Sequence, residues 1–356
     1  MNILNLCETA QGGVGIYQTF LSAMNGPDIV HHHLVPAEHA HFLGDLPNLH
    51  VFSRPERSAG AVVNMLREFK RLIRKLDPDI CFLHSSFALA GLAAMRLRGD
   101  RRPAIYAPHG WAVASAEGSR LKKGLVRSVE GRLCALADRV ICCSAADQRL
   151  AEQLGYRGKL LTVENAVPPP LPSARADLFA QEPDRLHLLF VGRLDHQKGF
   201  DILTEAMRLV KRRDLIVHVV GGAVRGDATA TPLPDNMRLA GWVARAGMDD
   251  WYRSADALVV PSRWEGLPLI IPEALANGTP VLCSQRSGME SLIAPGETGD
   301  SFALRPDSLA ALLDSLDKRS LQAMRPACQR AYAKRFAVAR LHDELASIFH
   351  DVRKTP

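Results

Sequence analysis

No run of apolar residues in this chain approaches the ~18 that a membrane-crossing helix needs. Its first residues, Met1-Asn-Ile-Leu-Asn-Leu-Cys, read as a strand without a basic leader. A cytoplasmic protein is expected. The seven cysteines are odd in number, and Cys81, Cys134, Cys142, Cys143 and Cys283 stand inside apolar runs without Cys-x-x-Cys spacing. Reduced core thiols are expected rather than disulfides or a zinc knuckle. Aromatic residues make up only 6% and no nucleic-acid reading module is present, so nucleic acid is not an expected partner. The Gly-x-Ser-x-Gly elbow of a hydrolase is missing. Gly13-x-Gly15 lacks the third glycine of a dinucleotide fingerprint, and histidines replace the acidic residue due about twenty positions later, which argues against NAD. Six histidines between His31 and His50 have no carboxylates at ligand spacing, and Asp77-Pro78-Asp79 reads as a turn before a strand. No metal is expected.

What is present is a soluble composition, 47% hydrophobic and 23% charged, on a length of 356 residues that exceeds what one core usually supports. Two domains are therefore expected. Strand-like runs alternate with helical ones throughout, the pattern of parallel sheets covered by helices. In the first half they lie near Ile3–Leu6, Ile29–Leu34, Leu49–Phe52, Asp79–Leu83, Ala104–Ala107, Arg139–Cys143 and Leu160–Val163. The second set lies near Leu186–Val191, Ile216–Val220, Met237–Leu239, Ala257–Val260 and Val281–Cys283. Between the sets, Pro168-Pro-Pro-Leu-Pro172 reads as a stiff linker, placing the boundary at about 168–184.

Two constellations carry chemistry. In Pro261-Ser-Arg-Trp-Glu265-Gly-Leu-Pro-Leu-Ile-Ile-Pro-Glu273-Ala-Leu-Ala-Asn-Gly278, the strand at Asp256–Val260 must stop at Pro261, and Gly266 and Pro268 enforce a turn. Pro272 fits only a first helical turn, so a helix should begin near Leu269 and end at Gly278. Its free amides, near Leu267 and Leu269, are suited to an anion. Glu265 before the turn and Glu273 inside the helix are suited to hydroxyl donors, as a sugar or ribose supplies. The second constellation follows the strand Leu186–Val191: Gly192-Arg193-Leu-Asp-His-Gln-Lys198-Gly199, then an amphipathic helix over Asp201–Arg213. Gly192 permits close backbone approach, and Arg193 and Lys198 can reach one diphosphate. Taken alone, each constellation also fits an ordinary strand-to-helix loop with solvated charges.

Gly192-Arg193 with Lys198-Gly199, Glu265-x7-Glu273, Glu-Ala-Leu-Ala-x-Gly-x-Pro-Val and Gly296-Glu-Thr298-Gly299 occur here in one order and spacing. Through them residues 186–304 resemble the C-terminal half of the retaining glycosyltransferases of family four, group 1 glycosyl transferases with the GT-B fold. In the first half, Gly12-Gly13-Val-Gly15, His109-Gly110 and Val163-Glu-Asn165 carry a thinner likeness. The resemblance implies an α/β protein of two Rossmann-like domains whose parallel sheets face across a cleft. Residues 1–170 would be the acceptor domain and 171–335 the nucleotide-sugar domain, with a helix at about 336–356 packing back onto the first. It implies transfer of a hexosyl group from a nucleoside-diphosphate sugar, with retention and without a metal or other cofactor. Arg193, Lys198 and the backbone at Gly192, Gly266, Leu267 and Leu269 would then neutralise the leaving diphosphate. Glu265 would bind donor-sugar hydroxyls, Glu273 the ribose, the Gly13 backbone the diphosphate, and His109 the transferred sugar. Asn165, followed by Ala166 where the family often has glycine, and Glu290 complete the set.

Residues 1–170 hold 20 Lys/Arg against 15 Asp/Glu, so the charge excess belongs to the first half. Much of it lies on Val62–Leu76, where Val62, Leu66, Phe69, Ile73 and Leu76 line one face and Arg67, Lys70, Arg71, Arg74 and Lys75 occupy others. More follows at Arg96–Arg102 and at Arg120, Lys122, Lys123 and Arg127. A solvated helix face accounts for this. An anionic membrane surface also fits, and would suit a lipid-linked saccharide acceptor at the inner face of the membrane in polysaccharide or envelope-glycan synthesis. Two other functions fit the same architecture: a sugar-nucleotide epimerase and a non-catalytic nucleotide-sugar-binding subunit.

Overall fold

The computed structural model describes residues 1–56, 58–115, 120–222 and 232–354, apart from a few side chains that include Arg120 and Lys122. Two compact units emerge, one of residues 1–165 with 339–356 and one of residues 166–338. The first holds a parallel sheet of β1 (Asn2–Cys7), β2 (Val30–Pro36), β3 (Leu49–Phe52), β4 (Ile80–His84), β5 (Ala104–Ala107), β6 (Arg139–Cys142) and β7 (Leu160–Thr162), in the order 3-2-1-4-5-6-7. The second holds β8 (Leu186–Val191), β9 (Leu215–Val220), β10 (Met237–Gly241), β11 (Ala257–Val260), β12 (Val281–Ser284) and β13 (Gly299–Phe302), in the order 10-9-8-11-12-13. Each sheet thus reverses its direction of growth once, between β1 and β4 and between β8 and β11. Such reversals open a crevice at the carboxyl ends of the strands, where open α/β sheets bind ligands.

The strands form where apolar runs are buried on both faces: every residue of β4, β5, β9, β11 and β12 is buried. β13, Gly-Asp-Ser-Phe, has no such run and was not expected. Its first residue passes so close to β12 that a Cβ on Gly299 would stand 1.9 Å from the Val281 carbonyl oxygen. The helix Ala59–Leu76 is capped by Ser58, whose side chain accepts from the Ala61 amide. Its buried stripe is Ala61, Met65, Phe69 and Leu72, with Val62, Leu66, Ile73 and Leu76 packed along its margin. The core face is therefore turned from the expected one, because Met65 and Leu72 point at the sheet. The helix expected over Asp201–Arg213 runs from Phe200 to Leu209. It stops early because the Lys211 and Arg212 amides turn to the Asp314 carboxylate and Arg212 clamps Asp214.

The final helix, Val338–Lys354, belongs to the first unit. Leu341, Leu345, Phe349 and Val352 are buried at helical spacing, and Phe349 packs edge-on against Phe82 and His31. Asp77-Pro78-Asp79 is structural: Asp77 is the left-handed cap of its helix, while Asp79 accepts from the Asn2 amide and pairs with Arg353. His31 and His33 are buried in β2, and His32 stacks on His50. All seven cysteines are buried free thiols.

Candidate functional site

In the second unit, the loop after β8 and the loop after β11 meet at the crevice and are laced together. The Gln197 carbonyl accepts from the Arg263 amide at 2.8 Å, and the Gln197 side chain donates to the Trp264 carbonyl at 3.2 Å. Arg263 grips the Asp201 carboxylate through two bonds of 2.6 and 2.7 Å and donates to the His196 carbonyl. A Cβ on Gly199, whose φ is +68°, would stand 1.9 Å from the Pro261 oxygen. Only glycine lets the loops approach this closely. The result is a salt bridge of 2.6 Å between Lys198 Nζ and Glu265 Oε1, with the two side chains only 19% and 11% exposed. Arg193, more open at 43%, is steadied by Asp195 at 3.1 Å and Gln197 at 2.8 Å. Its guanidinium is pre-positioned on the same loop, immediately after Gly192.

Glu273 lies in the helix Ile270–Ala276, which begins after Leu269 and ends before Gly278. Its Oε2 accepts from the buried Tyr252 hydroxyl at 2.8 Å and its Oε1 pairs with Arg245 at 2.7 Å. Burial, and then the Glu273 charge, push the Tyr252 hydroxyl well above its ordinary range, so it remains a donor. Among the described residues, no acceptor meets the amides of Leu267 and Leu269, which flank Pro268 ahead of this helix. Glu290 is exposed in the short turn Met289–Leu292. Tyr252, Arg245, Arg263 and Gln197 were not singled out from the sequence. Apart from the Arg193–Gln197 bond, the contacts given for them span 21 to 67 positions, and no local spacing announces those.

In the first unit, Gly13 begins the helix Gly13–Ser22 after β1, and His109 follows β5. His109 has a φ of +54°, uncommon for a residue with a Cβ and a mark of strain at many functional sites. The turn is held from behind. Glu130, buried, accepts from the Ala112 amide at 3.1 Å, Ser86 Oγ at 2.7 Å and the Tyr156 hydroxyl at 3.0 Å, and Trp111 donates to the Asp147 carbonyl. The His109 ring stands on Tyr17 and bonds His84 at 3.0 Å; burial pulls its pKa down to about 4, so it is neutral at pH 7. Asn165, half-buried, makes no side-chain hydrogen bond among the described residues.

A cavity of about 250 Å³ opens in the first unit at the ends of β1, β3 and β4. Phe52, Met65, Val62 and the half-exposed Phe87 form its apolar walls, and a 2.6 Å ion pair between Glu8 and Arg54 its polar side. Among the described residues, no three His, Cys, Asp or Glu side chains converge to hold a metal ion. None forms a helix long and apolar enough to cross a membrane.

Comparison with known proteins matches both units. Residues 185–318 fit the model of "Glycosyl transferases group 1", and residues 30–166 that of "Glycosyl transferase 4-like domain". An "Uncharacterized 41.2 kDa protein in cps region" of Klebsiella pneumoniae is 26% identical over 318 residues, covering 84% of this chain and 85% of that protein. A D-inositol 3-phosphate glycosyltransferase of Streptomyces avermitilis is 32% identical over 251 residues, 61% of this chain and 53% of its own length. Among solved structures, Anabaena Alr3699/HepE in complex with UDP-glucose shares the fold with a TM-score of 0.80. It is 20% identical, covering 99% of this chain and 100% of that one.

Proposed function

This chain belongs to the group 1 glycosyl transferases and has the GT-B fold, and from that premise we propose that it transfers a sugar from a nucleoside-diphosphate sugar to a saccharide or lipid-linked saccharide. The observation that carries this reading is the Lys198–Glu265 contact between loops laced at the β8/β11 crevice. Such a site offers a diphosphate and a polyol their partners side by side. Lys198 and Arg193, with the amides of Leu267 and Leu269 and the backbone around Gly192 and Gly266, neutralise the departing diphosphate. Glu265, once Lys198 turns to phosphate, accepts from donor-sugar hydroxyls. Glu273, oriented by Tyr252, accepts from the ribose. Gly13 approaches the diphosphate through its backbone, His109 meets the transferred sugar, and Asn165 is a further substrate contact.

In this reaction the bond between the sugar's anomeric carbon and the phosphate oxygen breaks, and one to the acceptor oxygen forms. The acceptor proton leaves with the nucleoside diphosphate or to water. Fixed guanidinium, ammonium and amide groups supply the charge stabilisation, so no metal is required. Retention of anomeric configuration is carried over from the family. The cavity walled by Phe52, Phe87 and the Glu8–Arg54 pair suits one acceptor ring, its flat face on an aromatic and its hydroxyls on the ion pair. A role in polysaccharide or envelope-glycan synthesis agrees with the Klebsiella relative's cps-region origin.

Contact with an anionic membrane is supported by a second cavity in the first unit. Lys70, Arg74 and Arg98 line it with Phe69, Ile73 and Met95, alongside Arg102, which is paired with the lining carboxylates Asp77 and Asp100. Cosedimentation with vesicles containing or lacking phosphatidylglycerol tests this contact, which requires binding to the anionic vesicles alone. For the reaction, the protein is incubated in chelator with UDP-, GDP- and ADP-sugars, with and without oligosaccharide acceptors, and products are read by mass spectrometry. Acceptor-dependent transfer is expected from one donor. A donor that binds but is epimerised without acceptor, or never turned over, refutes the proposal.

A further inference from the structure

We infer that Asn5 and His84 are positioning residues that hold the His109 imidazole as its Nε2–H tautomer, leaving Nδ1 as a hydrogen-bond acceptor for a ligand hydroxyl. The His32 carbonyl oxygen can only accept, so the Asn5 side-chain atom 3.1 Å from it is the amide nitrogen. The second hydrogen of that nitrogen goes to His31 Nδ1 at 3.1 Å. Asn5 Oδ1 is then the atom facing His84 Nε2 at 3.3 Å, and because it only accepts, His84 Nε2 carries the proton.

His84 has no exposed surface, and burial drives its pKa well below 6.5, so it has a single N–H. Its Nδ1 is therefore a bare lone pair. The group that meets this lone pair at 3.0 Å, His109 Nε2, must donate. His109 is neutral as well, so its own Nδ1 is unprotonated. Among the described residues nothing hydrogen-bonds to that nitrogen, while Tyr17 and His84 pack the rest of the ring in place.

The consequence is chemical selectivity. A bare imidazole nitrogen recognises an O–H or N–H group and gains nothing from an ionised phosphate oxygen. With the opposite tautomer the same nitrogen would donate, and the distinction would be lost because hydroxyl and phosphate oxygens both accept. His109 therefore distinguishes a hydroxylated sugar from the diphosphate attached to it. That selectivity rests on the donor reading above; the tautomer relay does not, since it follows from hydrogen bonds inside one unit.

The test separates the two. In full-length protein labelled with 15N-histidine, long-range 1H–15N correlations at pH 7.5 report which ring nitrogen is protonated, with His109→Asn identifying the His109 signals. The expected pattern is a protonated Nε2 and an unprotonated Nδ1. Asn5→Leu, which removes the terminal acceptor, should move His109 toward the Nδ1–H form. A wild-type His109 protonated on Nδ1, or averaged between tautomers, overturns the relay even where Asn5→Leu does not fold, and an unchanged pattern in folded Asn5→Leu does the same. By calorimetry, Asn5→Leu should weaken the sugar nucleotide by about 3- to 10-fold, the span of one lost hydrogen bond, and leave the nucleoside diphosphate unchanged. Equal weakening of both, or of neither, with the tautomer as expected, overturns the sugar selectivity and leaves the relay standing.

Discussion

The carboxyl edges of the two sheets occupy the same topological place and carry opposite electrostatics. At the β8/β11 edge the polar groups are formal charges held in pairs: Lys198 with Glu265, Arg263 with Asp201, Arg245 with Glu273. At the β1/β4 edge the groups in line with the His109 ring are neutral and are joined through ring nitrogens and an amide, from Asn5 through His84 to His109, with the Glu130 carboxylate behind the turn. A bound diphosphate brings charge of its own and can take the place of a carboxylate as the cations' partner. A polyol brings only dipoles and is recognised best by groups whose direction is already fixed. One edge is built for exchange, the other for pre-organisation.

The largest expected effect breaks the charged side. Lys198→Ala should lower turnover by about 10² to 10³, the usual loss when a donor to developing charge is removed; near-normal turnover at saturating donor would show that the pair is only structural. Acid breaks the neutral side. Burial pulls His31 and His33 down to about 3 from an ordinary 6.5. The folded state thus binds fewer protons than the unfolded chain, and the stability these residues contribute is complete above pH 6.5 and lost as pH falls toward 3. At pH 5 the loss is on the order of 2 kcal/mol for each, measurable by denaturant unfolding at pH 7 and pH 5. His33→Phe should flatten that dependence, and an unchanged slope would mean that His33 titrates normally. The smallest effect sharpens the charged side. Tyr252→Phe removes one donor to Glu273 and should weaken nucleoside diphosphate binding by roughly 1 kcal/mol. Unaltered binding in a calorimetric titration would detach Glu273 from the ribose.

Much of the architecture was legible because buried parallel strands are written as β-branched and apolar runs, which is why twelve of the thirteen strands were anticipated. β13 escaped because a strand of Gly, Asp and Ser pairs through backbone proximity at Gly299, which leaves no apolar signature. Pro272 and Gly278 marked the ends of the Glu273 helix, as the known limits of those residues require. The site's outline was readable through Gly192, Arg193, Lys198, Glu265 and Glu273, whose spacing survives in one dimension. Its internal wiring was not. That Lys198 meets Glu265, or that Tyr252 orients Glu273, depends on loops brought together by sheet order. His84 was hidden for another reason: it ends an apolar run and reads as core, and only the fold sets its ring between Asn5 and His109.

The central claim is that the β8/β11 crevice holds a nucleoside diphosphate through fixed cations and carboxylates of this chain. Calorimetric titration of UDP, GDP and ADP in chelator, on the wild type and on Lys198→Ala and Glu273→Ala, tests it most directly. One nucleotide should bind the wild type without a divalent ion and bind both variants more weakly. Absence of binding until a divalent ion is added, or equal affinity in all three proteins, would contradict it.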